Sequence, residues 1–136
     1  MPVAGYSGTP LAKKLGIEEG HRVGVINAPD DFPSLLEPLP PGVEIVSGVR
    51  SRRDVVVAFV RARSELESKL AAMTKAVFPD GAIWVAWPKK AAKIPTDMTE
   101  DVVREVALPT GLVDNKVCAI DDVWSGLRLV VRKEHR

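Results

Sequence analysis

Two apolar runs constrain this chain more than anything else in it: Asp54 to Val60 (DVVVAFV) and Gly81 to Trp87 (GAIWVAW). A strand with one wet face alternates apolar and polar residues, and these runs do not. Each is therefore predicted to be a strand buried on both faces, as in a parallel sheet covered by helices on both sides. Between them, Leu66, Leu70, Met73 and Val77 recur at steps of four, three and four, one apolar stripe of a helix. Ser64-Glu65-Leu66-Glu67 reads as a capping box that opens this helix, and Pro79-Asp80-Gly81 ends it. Strand, helix, strand in this order predicts a βαβ unit.

The flanking segments extend the unit. A first short helix is punctuated by Thr9 as cap, Pro10 at the first helical position, Lys13-Lys14 near the carboxyl end and Gly16 in the closing turn. A first strand, Arg22 to Ile26, follows. A short helix is expected over Ser34 to Glu37, stopped by Pro38, Pro40 and Pro41, and then a strand over Val43 to Val46. Only seven residues separate Val46 from Asp54, short of the dozen that a parallel crossover usually needs. That strand is marginal, antiparallel, or at the far edge of the sheet with an extended link. The second long helix runs from Thr99 to Leu108, capped by Thr99, with Glu100 and Asp101 complementing its dipole and Val102, Val103 and Val106 facing inward. Two closing strands, Lys116 to Asp121 and Leu127 to Arg132, are joined by Asp122-Val123-Trp124-Ser125-Gly126. That link is too short for a crossover, so the last strand must run antiparallel. The expected architecture is a three-layer α/β sandwich, mainly parallel, closed by an antiparallel hairpin, in one domain over residues 1–136.

The 136 residues suffice for one sizeable core. No apolar run approaches the ~20 residues of a membrane span. Met1-Pro2-Val3-Ala4-Gly5-Tyr6 lacks the basic start and long apolar stretch of a signal peptide, and Cys118 is the only cysteine; the expectation is a cytoplasmic protein. A net charge of +1 argues against a dedicated nucleic-acid binder.

From Asp54 to Arg132 the chain resembles the second half of class I methyltransferases: buried strand, helix, "GAIWVAWP", helix, then "VDNKVCAIDDVWSGLRLVVRK". The chain as a whole looks like a bacterial family of short proteins of unknown function sharing "SGTPLAKKLG", "WPKK" and "VWSGLRLV". That family lends no established activity. The methyltransferase resemblance implies a Rossmann-like fold and a place for S-adenosylmethionine, which needs a glycine-rich turn after the first strand and an acidic residue after the second. Here the first strand is followed by Asn27-Ala28-Pro29-Asp30-Asp31 and the second by Ser47-Gly48. Proline fixes φ and deletes an amide donor. S-adenosylmethionine in its usual mode is not expected, and no cofactor is assigned.

Other chemical signatures are missing: no P-loop, zinc-spaced Cys or His set, nucleophile elbow or H-E-x-x-H. His21 and His135 sit in a loop and in the tail, and Cys118 lies mid-strand among apolar neighbours, an inert packing thiol. Asp30-Asp31 follow the first strand at the edge where open α/β sheets bind ligands, though capping the next helix explains them more simply. Glu100-Asp101 suit a helix start and Asp121-Asp122 a strand-end turn. Arg50, Arg52 and Arg53 read as a charged loop.

The candidate ligand site lies at the carboxyl rim of the sheet. Arg61 and Arg63 follow one buried strand, Lys89, Lys90 and Lys93 follow the next beside Trp87, and Asn27 ends the first. If these strands are parallel neighbours, guanidinium and ammonium groups gather on one rim and suit a phosphate or carboxylate. The competing reading is a solvated rim. By strand parity Trp84 and Trp87 fall on opposite faces, with Trp84 under a helix. Trp124, in the hairpin loop, packs or covers a pocket. The function expected is a non-catalytic binding or interaction module taking a small anionic ligand or a protein partner. The alternatives are a divergent S-adenosylmethionine-dependent methyltransferase or other small-substrate enzyme, and a structural partner in a larger assembly.

Overall fold

The computed structural model describes residues 9–136, so the reading of Met1 to Tyr6 lies outside the described residues. The elements are α1 (Leu11–Lys14), β1 (Arg22–Ile26), α2 (Phe32–Leu35), β2 (Glu44–Ser47), β3 (Val55–Phe59), α3 (Arg63–Val77), β4 (Ala82–Pro88), α4 (Glu100–Ala107), β5 (Leu112–Ala119) and β6 (Trp124–Val131). They form one six-stranded sheet in the order β2-β1-β3-β4-β6-β5. The first four strands are parallel, and β6 inserts between β4 and β5, antiparallel to both. The mainly parallel sheet with its antiparallel closing hairpin is thus as expected.

Both apolar runs are buried along their whole strands. Alternate residues divide between two cores. Val56, Ala58, Ile83, Val85 and Trp87 pack with Leu66, Leu70 and Met73 of α3 and Val103 of α4. Val55, Val57, Phe59, Trp84 and Ala86 pack on the other face with Leu15 after α1 and Phe32 of α2. Trp84 is fully buried, and its Nε1 donates to the Leu15 carbonyl at 2.9 Å, which satisfies the one polar atom of a large apolar ring.

Of the three placements open for the second strand, the structure takes the far edge. β2 is parallel to β1 at the end of the sheet, and residues 48–54 return to β3 without a helix. The link hugs β1: Gly48 N donates to Val25 O at 2.9 Å, and Asp54 N to Arg22 O at 2.8 Å. It passes so close that a Cβ on Gly24 would lie 2.6 Å from the Gly48 carbonyl oxygen. Arg53 is not part of a charged loop as expected; it is 5% exposed. Its Nε donates to Gly48 O (3.1 Å), and its Nη1 to Ser51 Oγ (2.8 Å), Ser51 O (3.3 Å) and Arg52 O (3.2 Å). The reason is geometric. A helix-free link brings backbone carbonyls over a sheet face, and carbonyls partly withdrawn from water need donors.

Several boundaries shift. α1 is capped by Pro10 with no side-chain bond, so Thr9 does not serve, while Gly16 takes the expected left-handed conformation at φ 79°. α2 starts two residues early because Phe32 is an apolar anchor, 1% exposed, and Pro33 suits the first turn. The capping box at Ser64 does not form. Ala62 is the cap residue, Asp97 Oδ1 accepts from Arg63 N at 2.7 Å, and Glu65 reaches back to Arg61 N at 3.3 Å. Thr99 does cap α4, accepting from Val102 N at 3.1 Å. The hairpin strands start earlier than expected, and Trp124 is a strand residue opposite Pro88 rather than part of a loop. Asp121 Oδ1 closes the turn, accepting from Val123 N and Trp124 N, both at 2.8 Å, as the acidic pair suggested. No described helix is long and apolar enough to cross a membrane.

Candidate functional site

The chain leaves β1 toward β2 on one side and later adds β3 on the other, so the carboxyl ends of β1 and β3 form a topological switch point. Open α/β sheets bind ligands at such a crevice. A cleft of about 460 Å³ lies there, lined by Asn27, Pro29, Phe59, Arg61, Glu65 and Trp124. That volume is within the range of small-molecule sites. On the other side of Asn27 a second hollow of about 380 Å³ runs between the ends of β1 and β2 and α3, past Ser47, Gly48 and Lys69. A larger concavity, about 860 Å³, opens between α3 and α4, away from the strand ends. The rim cleft is the better candidate because backbone, aromatic and charged groups converge on it.

Asn27 organises this cleft. Its φ of 56° places it in the left-handed region, which asparagine tolerates better than other non-glycine residues. The chain therefore turns sharply after β1 without a glycine, but keeps a side chain where a glycine turn would leave open backbone. That side chain is used: Nδ2 donates to Glu65 Oε2 at 2.7 Å and to Phe59 O at 3.5 Å. Glu65 thus clasps the end of β1 and, through its other oxygen, the amide of Arg61. Thr96 Oγ1 donates to Arg61 O at 2.6 Å, so the turn after β3 is held from both sides. The apolar wall is a chain of edge-to-face rings: Phe32 to Phe59 at 4.9 Å between centroids, and Phe59 to Trp124 at 5.0 Å.

The structure brings Asn27 and Arg61 together in this cleft, with Trp124 on its wall; Arg63, Trp87, Lys89, Lys90 and Lys93 sit elsewhere. Arg63 faces the α3–α4 groove, where Nε meets Glu67 at 3.1 Å and Nη1 meets Glu105 at 2.7 Å. These bonds, Glu67 first, raise its guanidinium pKa further. Trp87, 7% exposed, belongs to the core beneath α3 and α4 and offers no face to the rim. Lys89 and Lys90 lie on the loop after β4, where Lys89 N donates to Val123 O at 2.7 Å, and neither lines the cleft. Lys93 ends the Lys90–Ala92 turn in a left-handed conformation. Sequence reasoning missed Glu65, Pro29 and Phe59 and put Trp124 in a loop. Glu65 was readable only as a helix-start carboxylate, since its partner Asn27 lies 38 residues away in sequence.

The remaining titratable candidates have local roles. His21 Nδ1 accepts from Glu18 N at 3.1 Å, and burial pushes the Cys118 thiol above its ordinary value. Asp31 occupies the cap position of α2 without a side-chain bond. No group of His, Cys, Asp and Glu among the described residues is arranged to hold a metal ion.

Residues 12–133 match the family described as protein of unknown function (DUF3052), and the chain belongs to that family. No curated protein matches the sequence. Among solved structures, a SAM-dependent methyltransferase from Aquifex aeolicus has a TM-score of 0.64 at 15% identity, over 89% of this chain and 88% of that one. Fibrillarin from Aeropyrum pernix, in complex with natively bound S-adenosyl-L-methionine, gives 0.61 at 14% identity, over 88% of this chain and 73% of that one. A possible exported protein from Bordetella parapertussis gives 0.61 at 12% identity over 89% of this chain, which spans only 65% of that protein's length. At these identities the likeness is one of fold, and it bears out the Rossmann-like, methyltransferase-like reading.

Proposed function

Starting from a family with no established activity, we propose that this chain is a non-catalytic binding module on a methyltransferase fold. It works as one domain in the cytoplasm and takes a small anionic ligand in the cleft of Asn27, Arg61 and Trp124. One observation carries this reading. Arg61 lines a cleft at the strand switch point and forms no ion pair among the described residues, while Glu65, the cleft's one carboxylate, is already engaged by two N–H donors. An anion there gains a charge-assisted partner.

A divergent S-adenosylmethionine-dependent methyltransferase is the second reading, favoured by the fold shared with such enzymes. Against it stands the Asn27 side chain, hydrogen-bonded across the place where a glycine turn would leave open backbone. Thermal shift with sulfate, phosphate and S-adenosylmethionine, on the wild type and Arg61→Ala, separates the two. Sulfate or phosphate is expected to stabilise the wild type by about 2.7 kcal/mol at 100 times its dissociation constant, and the variant by less. Equal stabilisation of both removes the anion site. A micromolar dissociation constant for S-adenosylmethionine by calorimetry restores the enzyme.

A further inference from the structure

On the sheet face opposite α3 and α4, a groove of about 610 Å³ opens between the start of α1, α2 and the β5–β6 turn. Its floor is apolar, with Leu11, Leu35 and Val123 among its walls. Its edges carry four carboxylates: Asp31 and Glu37 flank α2, and Asp121 and Asp122 come from the turn. Among the described residues, no lysine, arginine or histidine lines it. Asp121 is committed to the turn through its two amide contacts. Asp31, Glu37 and Asp122 form no ion pair among the described residues. In a chain of net charge +1, a one-sign edge around an apolar floor is a local concentration of charge.

That combination selects its occupant. Nucleic acid and acidic surfaces are repelled, and a fully hydrated cation gains nothing from Leu11 and Leu35. A basic amphipathic segment satisfies both parts, because an apolar side chain covers the floor while lysine or arginine meets the edge. We propose that this groove docks a short basic, amphipathic segment of a partner protein, independently of any ligand in the rim cleft.

The test is fluorescence anisotropy of the full chain with a short labelled peptide of alternating leucine and lysine. Serine–lysine and leucine–glutamate peptides serve as comparators. The leucine–lysine peptide is expected to bind about tenfold more tightly than either, and to weaken as salt shortens the screening length. Asp31→Asn/Glu37→Gln/Asp122→Asn spares the structural Asp121 and is expected to weaken binding about tenfold with an unchanged melting temperature. Leu35→Ser tests the floor separately and is expected to weaken binding too. The proposal is overturned if the triple variant binds like the wild type, or if the serine–lysine peptide binds as well as the leucine–lysine one. Self-association that the triple variant abolishes would overturn it as well, by making a second copy the occupant.

Discussion

From β3 onward one face of the sheet is covered by two long helices, whereas before β3 that face is crossed by a helix-free link with polar staples. The later region uses fifteen-residue α3 and eight-residue α4, which bury Leu66, Leu70, Met73, Val77, Val103 and Ala107. The earlier region has two four-residue helices and a link with no helix at all. Both regions must hide buried strands, yet only one does so with a regular amphipathic stripe. Where a helix satisfies its own carbonyls, the link relies on Arg53, whose guanidinium supplies donors that an apolar residue lacks. Covering a sheet is thus a problem of backbone satisfaction as much as of apolar area.

The comparison breaks most visibly at Arg53. Arg53→Met keeps much of the stem but removes the donors to Gly48 O, Ser51 O and Arg52 O. A half-buried carbonyl left without a donor costs about 1–3 kcal/mol, while water can replace the donor at the exposed Ser51 and Arg52 and a buried charge is removed, so a net loss of about 2–3 kcal/mol is expected. In the helical region Met73→Ala, at a fully buried site, is expected to cost about the same for a different reason, a cavity. Urea denaturation checks both. A loss below about 1 kcal/mol for Arg53→Met would mean that packing alone holds the link.

Glycines on the two sides sharpen the contrast. Gly24→Ala drives a Cβ to 2.6 Å from the Gly48 carbonyl oxygen, and backbone must move; a cost of about 2 kcal/mol is expected. Gly126→Ala on β6 meets only side chains, the Trp84 ring at 3.1 Å and Ile120 Cδ1 at 3.3 Å, which must give by a few tenths of an ångström while the backbone stays in place. It should cost less than half as much in the same denaturation experiment. Equal costs would make the link no tighter than ordinary strand packing.

The regular region is also the one legible from sequence. The unbroken runs at Val55–Phe59 and Ala82–Pro88 and the stripe from Leu66 to Val77 depend on local periodicity, and they stand where periodicity puts them. The earlier region depends on approach between distant segments. Nothing local marks Gly24 as lying under the Gly48 carbonyl, or Arg53 as the one arginine of its cluster that turns inward. The candidate site divides the same way. Asn27 and Arg61 were readable as strand-end residues, but Glu65 joins them only because α3 starts beside β1, and Arg63 is drawn off by Glu105 of α4.

Helix starts test the regular region on a smaller scale. Thr99→Ala removes an observed cap and is expected to cost about 1 kcal/mol. Ser64→Ala should be close to neutral, since Ala62 is the cap residue and Asp97 takes the Arg63 amide. Thermal melts of the two variants side by side check this. A cost for Ser64→Ala matching that of Thr99→Ala would bring back the capping box.

The smallest expected effect lies where the regions meet. Arg52, in the link, donates to Phe78 O at 3.1 Å and pairs with Asp80 at 2.9 Å in the turn between α3 and β4. Among the described residues it is the one ion pair that joins the two regions. The hydrogen bond from Arg52, more than its charge, holds the Asp80 carboxyl below its ordinary value. A carboxyl whose folded pKa is depressed contributes stability above its unfolded pKa and loses it as pH falls through the folded one. Asp80→Asn should therefore be slightly less stable than the wild type at neutral pH, and the difference should fade in acid. The pair is exposed, so added salt should shrink the difference too. Denaturant titrations of both proteins across the acid range, at low and high salt, check this. A difference that persists in acid would assign the effect to the shape of the turn and not to charge.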